Sequence, residues 1–90
     1  MSNIVVSLHG TLGTSAGKIF DPGSLSEMIA HEMEIGGESR VIVRDRILSR
    51  AMKEFPGDHT HHTVSSGMTY VLGKLSEHGY IVDSYWKVTE

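Results

Sequence analysis

The densest run of chemically competent side chains is Asp58-His59-Thr60-His61-His62, three imidazoles and a carboxylate in consecutive polar positions. Neutral imidazole nitrogens and carboxylate oxygens are the donors that zinc and other first-row metals take. His59 and His61 can chelate together from an extended backbone, so His59, His61 and His62 are candidate metal ligands. A small metal-binding protein or enzyme is therefore one reading of the chain. The spacing supports it weakly, because no second group of Cys, His or Asp stands at motif distance and a further ligand has to come from His9, His31 or His78 through the fold. The competing reading is that the cluster opens the next helix, with Thr60 or Thr63 as N-cap, or forms a pH-sensitive surface.

A phosphate site is the second chemical possibility. The β-branched run Ile4 to His9 feeds Gly10-Thr11-Leu12-Gly13-Thr14-Ser15-Ala16-Gly17-Lys18, and closely spaced backbone N–H groups beside a lysine cradle anions. The pattern departs from G-x-x-x-x-G-K-[ST] twice: Leu12 stands where the first glycine belongs, and Ile19 where the magnesium-ligating hydroxyl belongs. The segment reads as a flexible or partner-ordered loop, and no cofactor is expected.

The third possibility is binding through charge or shape. The chain has 90 residues, a formal net charge of -3 and no cysteine, so one domain spanning 1–90 must be held by its core or by an oligomer interface. Charge is distributed unevenly. Asp21 to Glu38 holds five acids and no base, whereas Arg40 to Lys53 holds five bases against Asp45 alone. Arg46, Arg50 and Lys53 share the outer side of a helix, where they are either solvated, paired with the acidic helix before them, or a partner-binding face.

The elements that must position these groups follow from periodicity. Thr63 to His78 keeps helical spacing longest: Val64, Met68, Val71, Leu72 and Leu75 form one stripe, and Gly79 can supply the left-handed cap. Its outward side carries Ser66, Thr69, Tyr70, Gly73 and Glu77. Each interior glycine costs a helix about 1 kcal/mol relative to alanine, so Gly67 and Gly73 are unexpected unless something comes close; the alternative is that Gly73 is merely tolerated. Ser66, Thr69, Tyr70 and Gly73 are accordingly the candidate surface for a protein partner, a homodimer included. Upstream, Asp21-Pro22-Gly23 is a turn, and Ser24 with Glu27 matches a capping box for a helix with Leu25, Met28, Ile29 and Met33 on its apolar side, ended by Gly36-Gly37. Ser39 to Phe55 carries the stripe Ile47, Leu48, Ala51, Met52 and Phe55. A helix throughout is expected there, although it places Arg44 within the stripe; the alternative is a short strand Val41 to Val43 with Asp45 capping a shorter helix.

The chain ends, Ile4 to Leu8 and Tyr80 to Val88, alternate as strands do. The fold expected is α+β: about three helices packed on a small antiparallel sheet formed by the N- and C-terminal strands.

Two local resemblances belong to DNA-binding motifs. Ser26 to Ile35 resembles the first half of a helix-turn-helix, although Glu34 stands where its turn glycine belongs and Gly36-Gly37-Glu38 adds residues. Met68, Val71, Leu72, Leu75 and Gly79-Tyr80-Ile81 resemble the recognition helix and first wing strand of winged-helix domains, over less than a quarter of the chain. Gly57 to His62 is too short for the helix such domains place ahead of it, and Lys74 is the only base provided on that helix. The pattern is read as a helix-to-strand junction.

A regulatory or inhibitory protein of the size phages and mobile elements encode is the expected function: non-enzymatic, and acting by binding a macromolecule, most simply a protein. A winged-helix-like DNA binder and a metal-using protein are the alternatives. No apolar run approaches a membrane span and no signal peptide opens the chain, so no membrane partner and a cytoplasmic location are expected.

Overall fold

The computed structural model describes residues 18–79 and, as backbone alone, residues 5–7 and 87–89. Three helices make up the body: α1 (Leu25–Ile35), α2 (Arg40–Glu54) and α3 (His61–Glu77).

Each helix starts on a hydroxyl. Ser24 Oγ accepts from Glu27 N at 3.2 Å, and the Glu27 carboxylate reaches back to Gly23 N at 2.9 Å, one residue further out than a strict capping box. Ser39 Oγ accepts from Ile42 N at 3.2 Å, which starts α2 at Arg40 and draws Val41 to Val43 into one continuous helix. Thr60 and Thr63 are both used. Thr60 Oγ1 accepts from Thr63 N while Thr63 Oγ1 accepts from Thr60 N, so α3 begins at His61, two residues earlier than periodicity alone indicates. α1 ends at Gly36, whose φ of 72° only glycine adopts without strain and whose N–H donates to the Glu32 carbonyl at 2.9 Å.

The three apolar stripes close on one another. Met28, Ile29, Ala30 and Met33 of α1, Val43, Ile47 and Ala51 of α2, and Val64, Met68, Val71 and Leu75 of α3 are buried together with Phe20, and Leu25, Leu48, Phe55 and Leu72 pack at the margin. Side chains of this size each stabilise the fold by about 1.5–3 kcal/mol when fully buried. α2 is rotated from its expected setting: Val43, Ile47 and Ala51 form its inner row, and Met52 is 66 % exposed.

The α+β expectation is corrected here. Residues 18–79 contain no strand, and the fold is mostly helical. Val5–Ser7 (β1) and Lys87–Thr89 (β2) do run antiparallel, with Val5 opposite Thr89, Val6 opposite Val88 and Ser7 opposite Lys87. A ladder of three residues a side is no layer on which three helices can be packed. The helices have no need of one, since each has its stripe covered by the other two. The remainder of the expected terminal strands, and residues 10–17 of the glycine-rich loop, lie outside the described residues. No described helix is long and apolar enough to cross a membrane.

Candidate interaction surface

The reciprocal cap on Thr60 and Thr63 fixes where α3 begins, and the buried row Val64, Met68, Val71 and Leu75 fixes its rotation. The opposite side then faces outward. Ser66, Thr69, Tyr70 and Gly73 are all exposed, Tyr70 to 53 %. Thr69 Oγ1 donates to the Ser65 carbonyl at 3.1 Å, and Lys74 Nζ lies 6.0 Å from the centre of the Tyr70 ring, at the outer limit of a cation–π contact. The two interior glycines differ in kind. A Cβ at Gly67 would meet Ile29 Cδ1 at 2.8 Å, so α1 packs tightly against α3 at this glycine. A Cβ at Gly73 would meet nothing among the described residues within 4 Å.

Beside this face, a groove of about 300 Å³ runs between α2 and α3, lined by Arg40, Val41, Arg44, Ser65, Met68, Thr69 and Leu72. Arg44 is half-buried on its wall. Its Nη2 stands 3.4 Å from Asp45 Oδ1, and its Nε is shielded from solvent with no hydrogen-bond partner among the described residues. A carboxylate of the acidic helix α1 does reach α2, but it meets Arg46 and Arg50 rather than Arg44.

That carboxylate is Glu32, with a side chain only 7 % exposed. Arg46 Nε donates to Glu32 Oε1, Arg46 Nη2 to the Glu32 carbonyl at 2.8 Å, and Arg50 Nη1 to Glu32 Oε2 at 2.7 Å. Arg50 also forms a two-pronged pair with Glu54 at 2.8 and 2.9 Å. Burial raises the Glu32 pKa, but the hydrogen bonds and charges of Arg50 and Arg46 outweigh it and hold the carboxyl below its ordinary value. Hydrogen bonds from Arg50 likewise lower Glu54, and Glu54 and Glu32 together raise Arg50. Arg46 has a second effect. α1 has no base in its last turn, and the Arg46 guanidinium supplies one from α2 at the end where carbonyls lack partners. Of the three bases expected on an outer face, Arg46 and Arg50 therefore tie α2 to α1, and Lys53 is exposed.

The histidine cluster does not converge. His59 Nε2 is 3.1 Å from the Phe55 carbonyl, His61 Nε2 is 3.2 Å from Asp45 Oδ1, and His62 is exposed in the first turn of α3. Among the described residues no three His, Cys, Asp or Glu side chains are grouped to hold a metal ion.

No family model, curated protein or solved structure matches this chain. The site is therefore read from its own geometry, to which sequence reasoning contributed the α3 face but neither the groove nor Glu32. A signal for Glu32 was present: it follows Met28 and Ile29 at helical spacing and directly precedes Met33, which puts an acid on the apolar side of α1 opposite a helix with bases one turn apart.

Proposed function

We propose that this chain is a small non-enzymatic module that works by binding a protein partner through the outer face of α3, as a regulatory or inhibitory protein does. A second copy of the chain is among the partners this face fits. The observation that carries the reading is Gly73. A mid-helix glycine with nothing among the described residues within 4 Å of where its Cβ would stand lowers helix stability and serves no contact among those residues. It exposes backbone to an approaching molecule, and it does so beside Tyr70, a residue type enriched where interfaces concentrate their energy. Ser66 and Thr69 extend the strip, and Thr69 joins it to the groove between α2 and α3.

Duplex DNA is less well supported as the partner. Arg46 and Arg50, two of the bases that phosphate contacts would call on, already hold Glu32, and such contacts need cations at liberty to leave their partners.

Light scattering on the purified chain and an affinity capture, with mass and nucleic-acid analysis of what returns, test the proposal when the parent is compared with Gly73→Leu and Tyr70→Ala. Both variants should stay folded and lose self-association or the captured protein. Parent-like behaviour in both, or capture of nucleic acid released by moderate salt, would sink it.

A further inference from the structure

We propose that the occupant of the α3 face is a second copy of the chain, docked antiparallel about a two-fold axis that passes between Thr69 and Tyr70. This rests on the reading of α3 as a protein-binding face and names the partner and the register in which it docks.

Three observations carry it. The first is charge set against the dipole of the helix. Acids favour the first turn of a helix and bases its last. α3 has no acid in its first turn, where His61 and His62 stand, and it closes on Glu77 after the base Lys74. His61 faces Asp45, whereas His62 and Glu77 are exposed and take part in no ion pair among the described residues. An antiparallel copy reverses the mismatch. Each Glu77 then lies over the first turn of its partner, with that turn's imidazole and N–H groups, and each His62 lies over its partner's last carbonyls. Charges that oppose the helix by itself are complementary to its antiparallel copy.

The second is spacing. At 100° per residue, His62, Ser66, Gly73 and Glu77 line the side of α3 opposite the buried row Val64, Met68, Val71 and Leu75, with Thr69 on one flank and Tyr70 on the other. All six are exposed. The row is palindromic: positions 62 and 77, 66 and 73, and 69 and 70 stand at equal distances from one point. A two-fold interface brings the same patch against itself, and this spacing lets every member of the row find another member at its own level.

The third is bulk. Ser66 of each protomer comes level with Gly73 of its partner, so the smallest side chains sit where the axes pass, and helix axes approach to the lower part of their usual range of about 8–10 Å. At Gly73 no described residue competes for that space. The two Tyr70 rings fall on the same flank, on either side of the axis, where they can stack offset. One helix against its copy is a small interface, so the dimer is weak and depends on concentration.

The test begins with sedimentation of the full-length chain over a concentration series, which should show monomer and dimer in equilibrium. His62→Glu places an acid in the first turn of α3 and Glu77→Lys a base in its last, so both changes favour the helix, and circular dichroism verifies that the fold is kept. His62→Glu should nevertheless weaken the dimer roughly tenfold, because it sets carboxylates against one another twice per dimer, and adding Glu77→Lys should restore it. The register is read by cross-linking, since the chain has no cysteine of its own. Residues 62 and 77 are roughly 22 Å apart along one helix. A bismaleimide shorter than half that length should join His62→Cys to Glu77→Cys when the two proteins are mixed, and should join neither to itself. A parent that is monomeric throughout, a His62→Glu dimer of parental strength, no recovery in the double variant, or cross-linking of His62→Cys to itself overturns the proposal. If the parent stays monomeric while Gly73→Leu and Tyr70→Ala lose a captured protein of another kind, the second copy is the wrong occupant and the α3 reading stands. A dimer indifferent to Gly73→Leu and Tyr70→Ala removes both.

Discussion

The same substitution, glycine to alanine, should have opposite effects at two places on α3. Alanine gains about 1 kcal/mol over glycine in a helix interior. At Gly73 none of the described residues lies within 4 Å of the new methyl, so that gain stands and the melting temperature should rise by about 4–8 °C. At Gly67 the new methyl would stand 2.8 Å from Ile29 Cδ1. Carbon atoms rest about 3.5–4.0 Å apart, so one of the two must give by roughly 0.7–1.2 Å. Ile29 is 2 % exposed and packed within the core, and overpacking of this kind costs about 1–3 kcal/mol. Gly67→Ala should therefore fall between neutral and about 2 kcal/mol destabilising. The cause can be isolated. Ile29→Val removes the δ methyl and alone costs about 0.5–1.5 kcal/mol. Combined with Gly67→Ala it should cost less than the sum of the two, with a favourable coupling of about 1 kcal/mol. Urea denaturation of the four species, at low protein concentration and with unchanged slopes, measures this directly. If Gly67→Ala stabilises as much as Gly73→Ala, or the coupling is nil, then α3 does not approach α1 at Gly67 as described.

Three further outcomes are expected. Glu32→Gln should destabilise by about 2–3 kcal/mol, below the 3–5 typical of a broken buried pair because Arg46 and Arg50 remain partly hydrated. Since the Glu32 carboxyl is held below its ordinary 4.5, its contribution is complete above that pH and lost as pH falls through the folded value. The parent should lose stability on acidification more steeply than Glu32→Gln, with Glu54 leaving some slope in both, and superimposable pH profiles would refute the assignment. Thr60→Ala should cost about 1 kcal/mol by chemical denaturation, and adding Thr63→Ala should cost less than a second independent loss, because the two hydroxyls form one reciprocal cap. Zinc should leave the melting temperature of the parent unchanged; a rise abolished by His61→Ala would establish a metal site.

Features set by a hydrogen bond a few residues away, or by spacing along one helix, are legible in the sequence. Ser24 starts α1, and Val64, Met68, Val71 and Leu75 enter the core as their spacing requires, with Leu72 at its margin. Thr60 and Thr63, alternative caps by sequence, are two halves of one device. The close neighbour demanded by Gly67 is present as Ile29. What is not legible depends on the approach of separate elements. Met52 is as apolar a choice as Val43, yet α2 rolls so that Val43 is buried and Met52 is exposed, a setting consistent with the reach of Arg46 and Arg50 to Glu32. The β-propensity of Ile4 to Leu8 and Tyr80 to Val88 describes a surface fit for half-burial and carries no information on whether three helices need a sheet beneath them. The groove requires two helices to be placed side by side, and Arg44 reads as a defect of the stripe until it has a wall to occupy.

Glu32 has a consequence for the uniqueness of the fold that its energy does not express. The α1–α2 contact is otherwise made by methionine, isoleucine, valine and alanine, shapes that accept one another in more than one alignment. An α-helix that slips along its neighbour by one turn, about 5.4 Å, keeps its apolar row facing inward and loses little by contact alone. Hydrogen bonds permit no such slip. The two oxygens of Glu32 are taken by guanidiniums one turn apart and its carbonyl by a third N–H group, so a shift in either direction strands a charge. A variant with all three residues replaced by apolar ones could be as stable as the parent and yet hold its helices in several registers, with broadened NMR signals throughout α1. Because the turn that follows α1 leads straight into Arg40, Val41 and Arg44, any drift in that register would reach the groove within a few residues, whereas the buried row on α3 would hold the outer face where it is.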